Sequence, residues 1–190
     1  MKHSNKGFTL IELLIVIAIV AILATAVLLY LNPAEFLRRA RDSNRLSDMS
    51  SLKNAIMMYQ SDVTNPQMGT QGVCYIASDV GTSTAACQQY FATASSVQTG
   101  VIRSLDGAGW VPIDFRQITS GLPLDQLPMD PAGANDPNHF YSYITGISAT
   151  FKLAAMMESQ LYGFGGDSDM VSKDNGINLL VFESGSLLSL

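Results

Sequence analysis

Lys6-Gly7-Phe8-Thr9-Leu10-Ile11-Glu12-Leu13 opens an apolar run that continues without a further charge to Leu31, and its reading decides the architecture of the chain. Between Leu13 and Leu31 the only side chain that is not apolar, apart from the hydroxyl of Tyr30, is Thr25. From Phe8 to Leu31 the run spans about 24 residues, roughly 36 Å as a helix, which is enough to cross a bilayer and more than a soluble core strand needs. Its presence accounts for a composition that is 47% hydrophobic and only 14% charged, where soluble domains carry about 25% charged residues. With 190 residues the chain has room for one domain and an appendage.

Two ordinary explanations of such a run fall short. A secretory signal peptide would use Ala24-Thr25-Ala26 as its cleavage site, but the apolar residues continue through Val27, Leu28, Leu29, Tyr30 and Leu31, and Glu12 interrupts the region that should be purely apolar. A plain single-span anchor explains the length but gives no reason for Glu12. An ionisable side chain inside a span costs a few kcal/mol and calls for a partner. A glutamate that snorkels to water near the interface is the simplest alternative.

The chain after the span changes character. Asn32-Pro33-Ala34-Glu35 reads as a fresh helix start, with Asn32 as N-cap, Pro33 at the first helical position and Glu35 placed for a capping box. A helix running straight through would lose the hydrogen bond from position 33 to Leu29, so a kink or unwound turn is expected between Leu29 and Pro33. Leu46, Met49, Leu52, Ile56 and Tyr59 then recur at spacings of three and four, the pattern of an amphipathic helix over residues 32–60. Arg38, Arg39, Arg41 and Arg45, interleaved with Glu35, Asp42 and Asp48, read as a solvated face of that helix.

Residues 61–190 are rich in Gly, Ser, Thr, Asn and Asp, with short β-favouring runs between them. Val73 to Ala77, His139 to Thr145, Thr150 to Met156 and Asn178 to Phe182 are the strand candidates, with Gly146 in a hairpin loop joining the middle pair. Gly121 to Asn138, carrying Pro123, Pro128, Pro131 and Pro137, is expected to be mostly loop. The expected architecture is α+β, a small antiparallel sheet lying on the amphipathic helix.

Lys6 to Leu13 and the run behind it resemble the class III signal of type IV pilins and type II secretion pseudopilins. Their parts are a basic leader, Gly before the cut, Phe after it, and Glu as the fifth residue of the mature chain. The resemblance extends to about Tyr59. It implies a pilin fold with a long kinked N-terminal helix, a leader of residues 1–7, a transmembrane and filament-core helix of residues 8–31, and a β-rich head outside the cytoplasm. It also implies that prepilin peptidase cuts between Gly7 and Phe8 and methylates the new amine of Phe8. A glycine at position 7 suits that reaction, because a backbone without Cβ approaches a protease closely. Glu12 would then pair with the Phe8 amine, on its own helix or on a neighbour, and set the register between subunits of a helical homo-oligomer. The implied partners are membrane lipid before assembly, an inner-membrane assembly platform and a separate ATPase motor. A minor subunit whose head binds DNA, a surface or a secreted substrate is the alternative, and an enzyme or binding module tethered by a single span is another. Gly109 to Phe115, Leu127 to Pro131, Tyr141 to Tyr143 and Phe151 to Ala154 more weakly resemble the heads of pilin-like proteins.

The remaining motifs are sparse. Cys74 and Cys87 fit one disulfide in an oxidising compartment, or two free thiols. Major pseudopilins carry calcium in a late loop, and Asp167, Asp169 and Asp174 lie in a Gly-rich late loop here. They are candidate calcium ligands, although the spacing departs from an EF-hand and a solvated acidic loop explains it too. No other cofactor is expected. A formal charge of -5, which loss of Lys2 and Lys6 would make more negative, argues against nucleic acid as a required partner of the head. With two histidines, no G-x-S-x-G and no phosphate-binding loop, no catalytic role is expected.

Overall fold

A computed structural model describes residues 7–78, 84–133 and 136–190. The chain divides into two compact units, residues 1–37 and 38–190. The first holds helix α1, Leu10–Leu31, in whose 18-residue stretch Leu10–Val27 no residue is buried. Residues 1–6 of the expected leader lie outside the described residues.

Helix α1 stops where its backbone runs into a proline. Asn32 takes left-handed values, φ 41 and ψ 75, and serves as the C-cap of α1, a conformation asparagine tolerates better than most side chains. Helix α2, Pro33–Asp62, begins at the next residue. The Glu35 N–H donates to Asn32 Oδ1 at 3.4 Å and to the Asn32 carbonyl at 3.0 Å. Asn32 thus ends one helix and caps the next, inside the segment where a kink or unwound turn is expected.

In the second unit α2 buries one face. Met49, Leu52, Ala55, Ile56 and Tyr59 are within 1% of fully buried, while Leu46 is only half-buried. They pack on a five-stranded sheet ordered β2-β1-β3-β4-β5, formed by β1 (Val73–Ile76), β2 (Ser96–Thr99), β3 (Tyr141–Thr145), β4 (Phe151–Ala155) and β5 (Phe182–Gly185). The β3–β4 hairpin forms as expected, through Gly146, whose N–H donates to the Thr150 carbonyl at 2.8 Å.

The sheet differs from expectation in three ways. β2 pairs with β1 in parallel, Val73 opposite Ser96; four residues with one apolar side chain carry too little pattern to announce a strand. The last strand begins where the candidate Asn178–Phe182 ends, because Asn178 Oδ1 instead accepts from the Leu180 N–H at 2.9 Å and holds a turn there. Finally, the sheet is covered on both faces. Tyr75, Tyr141, Tyr143, Phe151, Leu153 and Ala155 join the core beneath α2. Their alternate neighbours Cys74, Ile76, Ile144 and Ala154 join a second core with α3 (Thr84–Tyr90), Phe91, Val181 and Leu190. β3 and β4 are therefore buried at every position.

The Pro-pinned segments are irregular in backbone but fill the first core. Trp110, Val111, Ile113, Phe115 and Leu127 are buried there, the Tyr59 and Phe115 rings meet edge to face at 6.0 Å, and Trp110 Nε1–H donates to the Pro128 carbonyl at 2.9 Å.

Candidate functional site at the N-terminal helix start

Residues 7–9 approach α1 without helical geometry, and Thr9 is extended at φ -82 and ψ 150. Gly7 is exposed, with no heavy atom within 4 Å of the place a Cβ would occupy, and Phe8 is 80% exposed. The peptide bond between them thus lies on an exposed segment outside the helix, open to a protease.

Thr9 and Glu12 close the first turn of the helix on each other. The Thr9 N–H donates to Glu12 Oε2 at 2.8 Å, the Thr9 hydroxyl donates to the same oxygen at 2.7 Å, and the Glu12 N–H donates to Thr9 Oγ1 at 3.3 Å. This is a capping box. Its value rises in hydrocarbon, where a backbone N–H without a partner costs several kcal/mol. Glu12 also stands in the first turn, where the helix dipole favours a negative charge. The Ser/Thr-x-x-Glu spacing that announces such a box is present in the sequence as Thr9-Leu10-Ile11-Glu12, and it is the signal by which this partner of Glu12 is legible there.

Cys74 and Cys87 form a disulfide with Cα atoms 6.4 Å apart, both fully buried, tying β1 to α3. The loop aspartates are not brought together. Asp167 is exposed. Asp169 is buried and accepts from the Gly165, Val171 and Ser172 N–H groups and the Ser172 hydroxyl at 2.7 to 2.9 Å. Those donors, the Ser172 and Gly165 amides first, hold its carboxyl down at about 2. Asp174 accepts from the Gly176 and Glu183 N–H groups at 2.7 and 2.6 Å. Asp169 thus faces donors of its own turn, Asp174 faces its own turn and β5, and among the described residues no group of three His, Cys, Asp or Glu side chains stands ready to hold a metal.

The arginine cluster departs most from its reading as a solvated face. Arg38 and Arg39 are exposed, but Arg45 is fully buried with Asp42 and Asp130. Its Nε and Nη2 donate to the two Asp130 oxygens at 2.7 Å, its Nη1 donates to Asp42 at 2.8 Å, and Glu158 Oε1 lies 2.5 Å from Nη2. Arg41 reaches Glu158 in a two-pronged pair. Helix spacing reveals only the Asp42–Arg45 neighbours; Asp130 and Glu158 arrive from loops far along the chain. Burial pushes the Glu158 carboxyl up, but the hydrogen bonds from Arg41 and Arg45 outweigh it and bring it down to about 2.

No curated protein and no solved structure matches the chain. Residues 2–28 match the family model described as the prokaryotic N-terminal methylation motif. That motif, on an exposed, non-helical Gly7–Thr9 segment leading into an exposed apolar helix, supports the placing of this chain with the type IV pilins and pseudopilins, whose precursors prepilin peptidase processes.

Proposed function

We propose that this protein is a structural subunit of a type IV pilus or related pseudopilus, stored in the inner membrane through α1 and polymerised by burying α1 against its neighbours. The observation that carries the reading is an apolar helix with no buried residue from Leu10 to Val27, whose first turn holds Glu12 in a capping box within the methylation motif. Cutting before Phe8, rather than after the apolar run, leaves the span attached and places a new amine one residue before the Thr9–Glu12 box. In low dielectric an ammonium and a carboxylate attract far more strongly than in water. Glu12, already oriented by Thr9, is placed to receive its own Phe8 amine or that of the adjoining subunit, which sets axial register.

The test is mass spectrometry of the mature protein. An N-terminus at N-methylated Phe8 is expected; an intact Met1, or a start near Val27, would overturn the reading.

A further inference from the structure

The second core of the head contains an ion pair that the filament reading leaves unused. Lys152 on β4 is fully buried, and Glu183 on β5 is 1% exposed. Ala154 stands opposite Glu183 and Lys152 opposite Gly185, so the two side chains are diagonal neighbours on adjacent antiparallel strands and share a face. Lys152 Nζ is in contact with Glu183 Oε1, yet among the described residues that oxygen is a buried side-chain atom with no hydrogen bond. The other oxygen, Oε2, accepts from the Asn178 N–H at 3.0 Å.

The surroundings are apolar and tightly closed. Nζ lies 5.3 Å from the centre of the Phe91 ring and donates to the Leu190 main-chain oxygen at 3.0 Å. A side chain at Gly176 would collide with the Glu183 carboxylate, so the loop lies directly against it. Asp174, which accepts the Glu183 N–H, adds a second negative charge beside the pair. Holding an ammonium and a carboxylate in such a place carries a large desolvation cost for each ion. Joining them covalently removes both charges.

We propose that Lys152 and Glu183 condense into an intramolecular isopeptide bond, an amide cross-link between β4 and β5. A proton passes from Nζ to the carboxylate, and the amine lone pair attacks Cδ. A Cδ–N bond forms and a Cδ–O bond breaks; the hydroxyl leaves with a second nitrogen proton as water. An ammonium and a carboxylate become one neutral amide and one water, with no oxidant or other reactant. Well-oriented groups react with effective concentrations of about 10⁵–10⁸ M, which favours this step over the same reaction between free molecules. The amide N–H keeps the hydrogen bond to Leu190. Among the described residues β5 pairs with β4 alone and forms one edge of the sheet, so the cross-link secures an edge strand when the head is pulled. The chemistry itself does not depend on the filament reading.

Peptide mapping of the full-length protein, reduced and alkylated before digestion with trypsin, tests this. The expected result is no cleavage after Lys152 and a branched peptide joining the Lys152 and Glu183 segments, lighter than their sum by one water. Glu183→Ala should restore cleavage after Lys152. Linear peptides of full mass, or a water loss confined to one linear peptide, would overturn the proposal. The wild-type map decides the matter even where the variant fails to fold.

Discussion

Arg45 gathers three carboxylates of the head. Its guanidinium meets Asp42, Asp130 and Glu158 in a site closed to solvent. Burial alone would lower its pKa, but these three carboxylates raise it further, so the charge is retained. Arginine suits the place because its planar fork donates to several acceptors at once, where lysine offers a point charge. Replacing it removes the cation that Asp42, Asp130 and Glu158 share, and Arg41 remains at Glu158 but not at the two buried aspartates. Arg45→Ala is expected to destabilise the head by about 3–5 kcal/mol, the range for breaking a buried pair from one side. Trp110, the single tryptophan and buried in the first core, reports the transition in a denaturant titration of the full-length protein in detergent. A loss below about 1 kcal/mol, the worth of an exposed ion pair, would mean that water reaches the cluster.

The same charges act between elements. Asp42 on α2 accepts the Glu158 and Ser159 N–H groups at 2.7 to 3.1 Å, while Arg41 and Arg45 hold the Glu158 carboxylate, so the helix is clasped to the segment that follows β4. The Glu158 carboxyl is lowered from 4.5 to about 2 in the folded head. A depressed acid stabilises the folded state above its unfolded value, and this contribution is lost as pH falls from 4.5 toward about 2. Asp169, also held at about 2, acts in the same direction. Asp48 opposes them, because burial raises its carboxyl above the usual range despite the Tyr141 hydroxyl that donates to it. The thermal midpoint, followed by Trp110 fluorescence, should therefore fall across this window, and Glu158→Gln should fall less steeply. Parallel profiles for the two proteins would show that the clasp contributes nothing there. This clasp was hidden in the sequence because only its Asp42–Arg45 part obeys helix spacing.

For the molecule as a whole, the Thr9–Glu12 box bears on assembly. Glu12→Val keeps Gly7 and Phe8 and lengthens the apolar run, so the variant should still be cleaved and held in the membrane. It should nevertheless be excluded from filaments when co-produced with wild type, as measured by the subunit composition of purified filaments. Incorporation in proportion to its abundance would remove the register role. The sequence by itself determined the N-terminal helix, its break at Asn32 and Pro33, the buried stripe of α2 and the β3–β4 hairpin. Each of these rests on interactions within a few residues: capping, a missing amide, a period of three and four, a tight turn. The tertiary structure alone decided the second core and α3, the parallel pairing of β2, the start of β5 at Phe182, and the partners of Arg45 and Lys152. Apart from the Asn178 turn before β5 and the Asp42 neighbour of Arg45, which are local, these depend on burial created when distant segments meet. Burial converts an arginine that helix spacing places in water into the centre of an ion cluster, and it sets a lysine against a glutamate inside an apolar core.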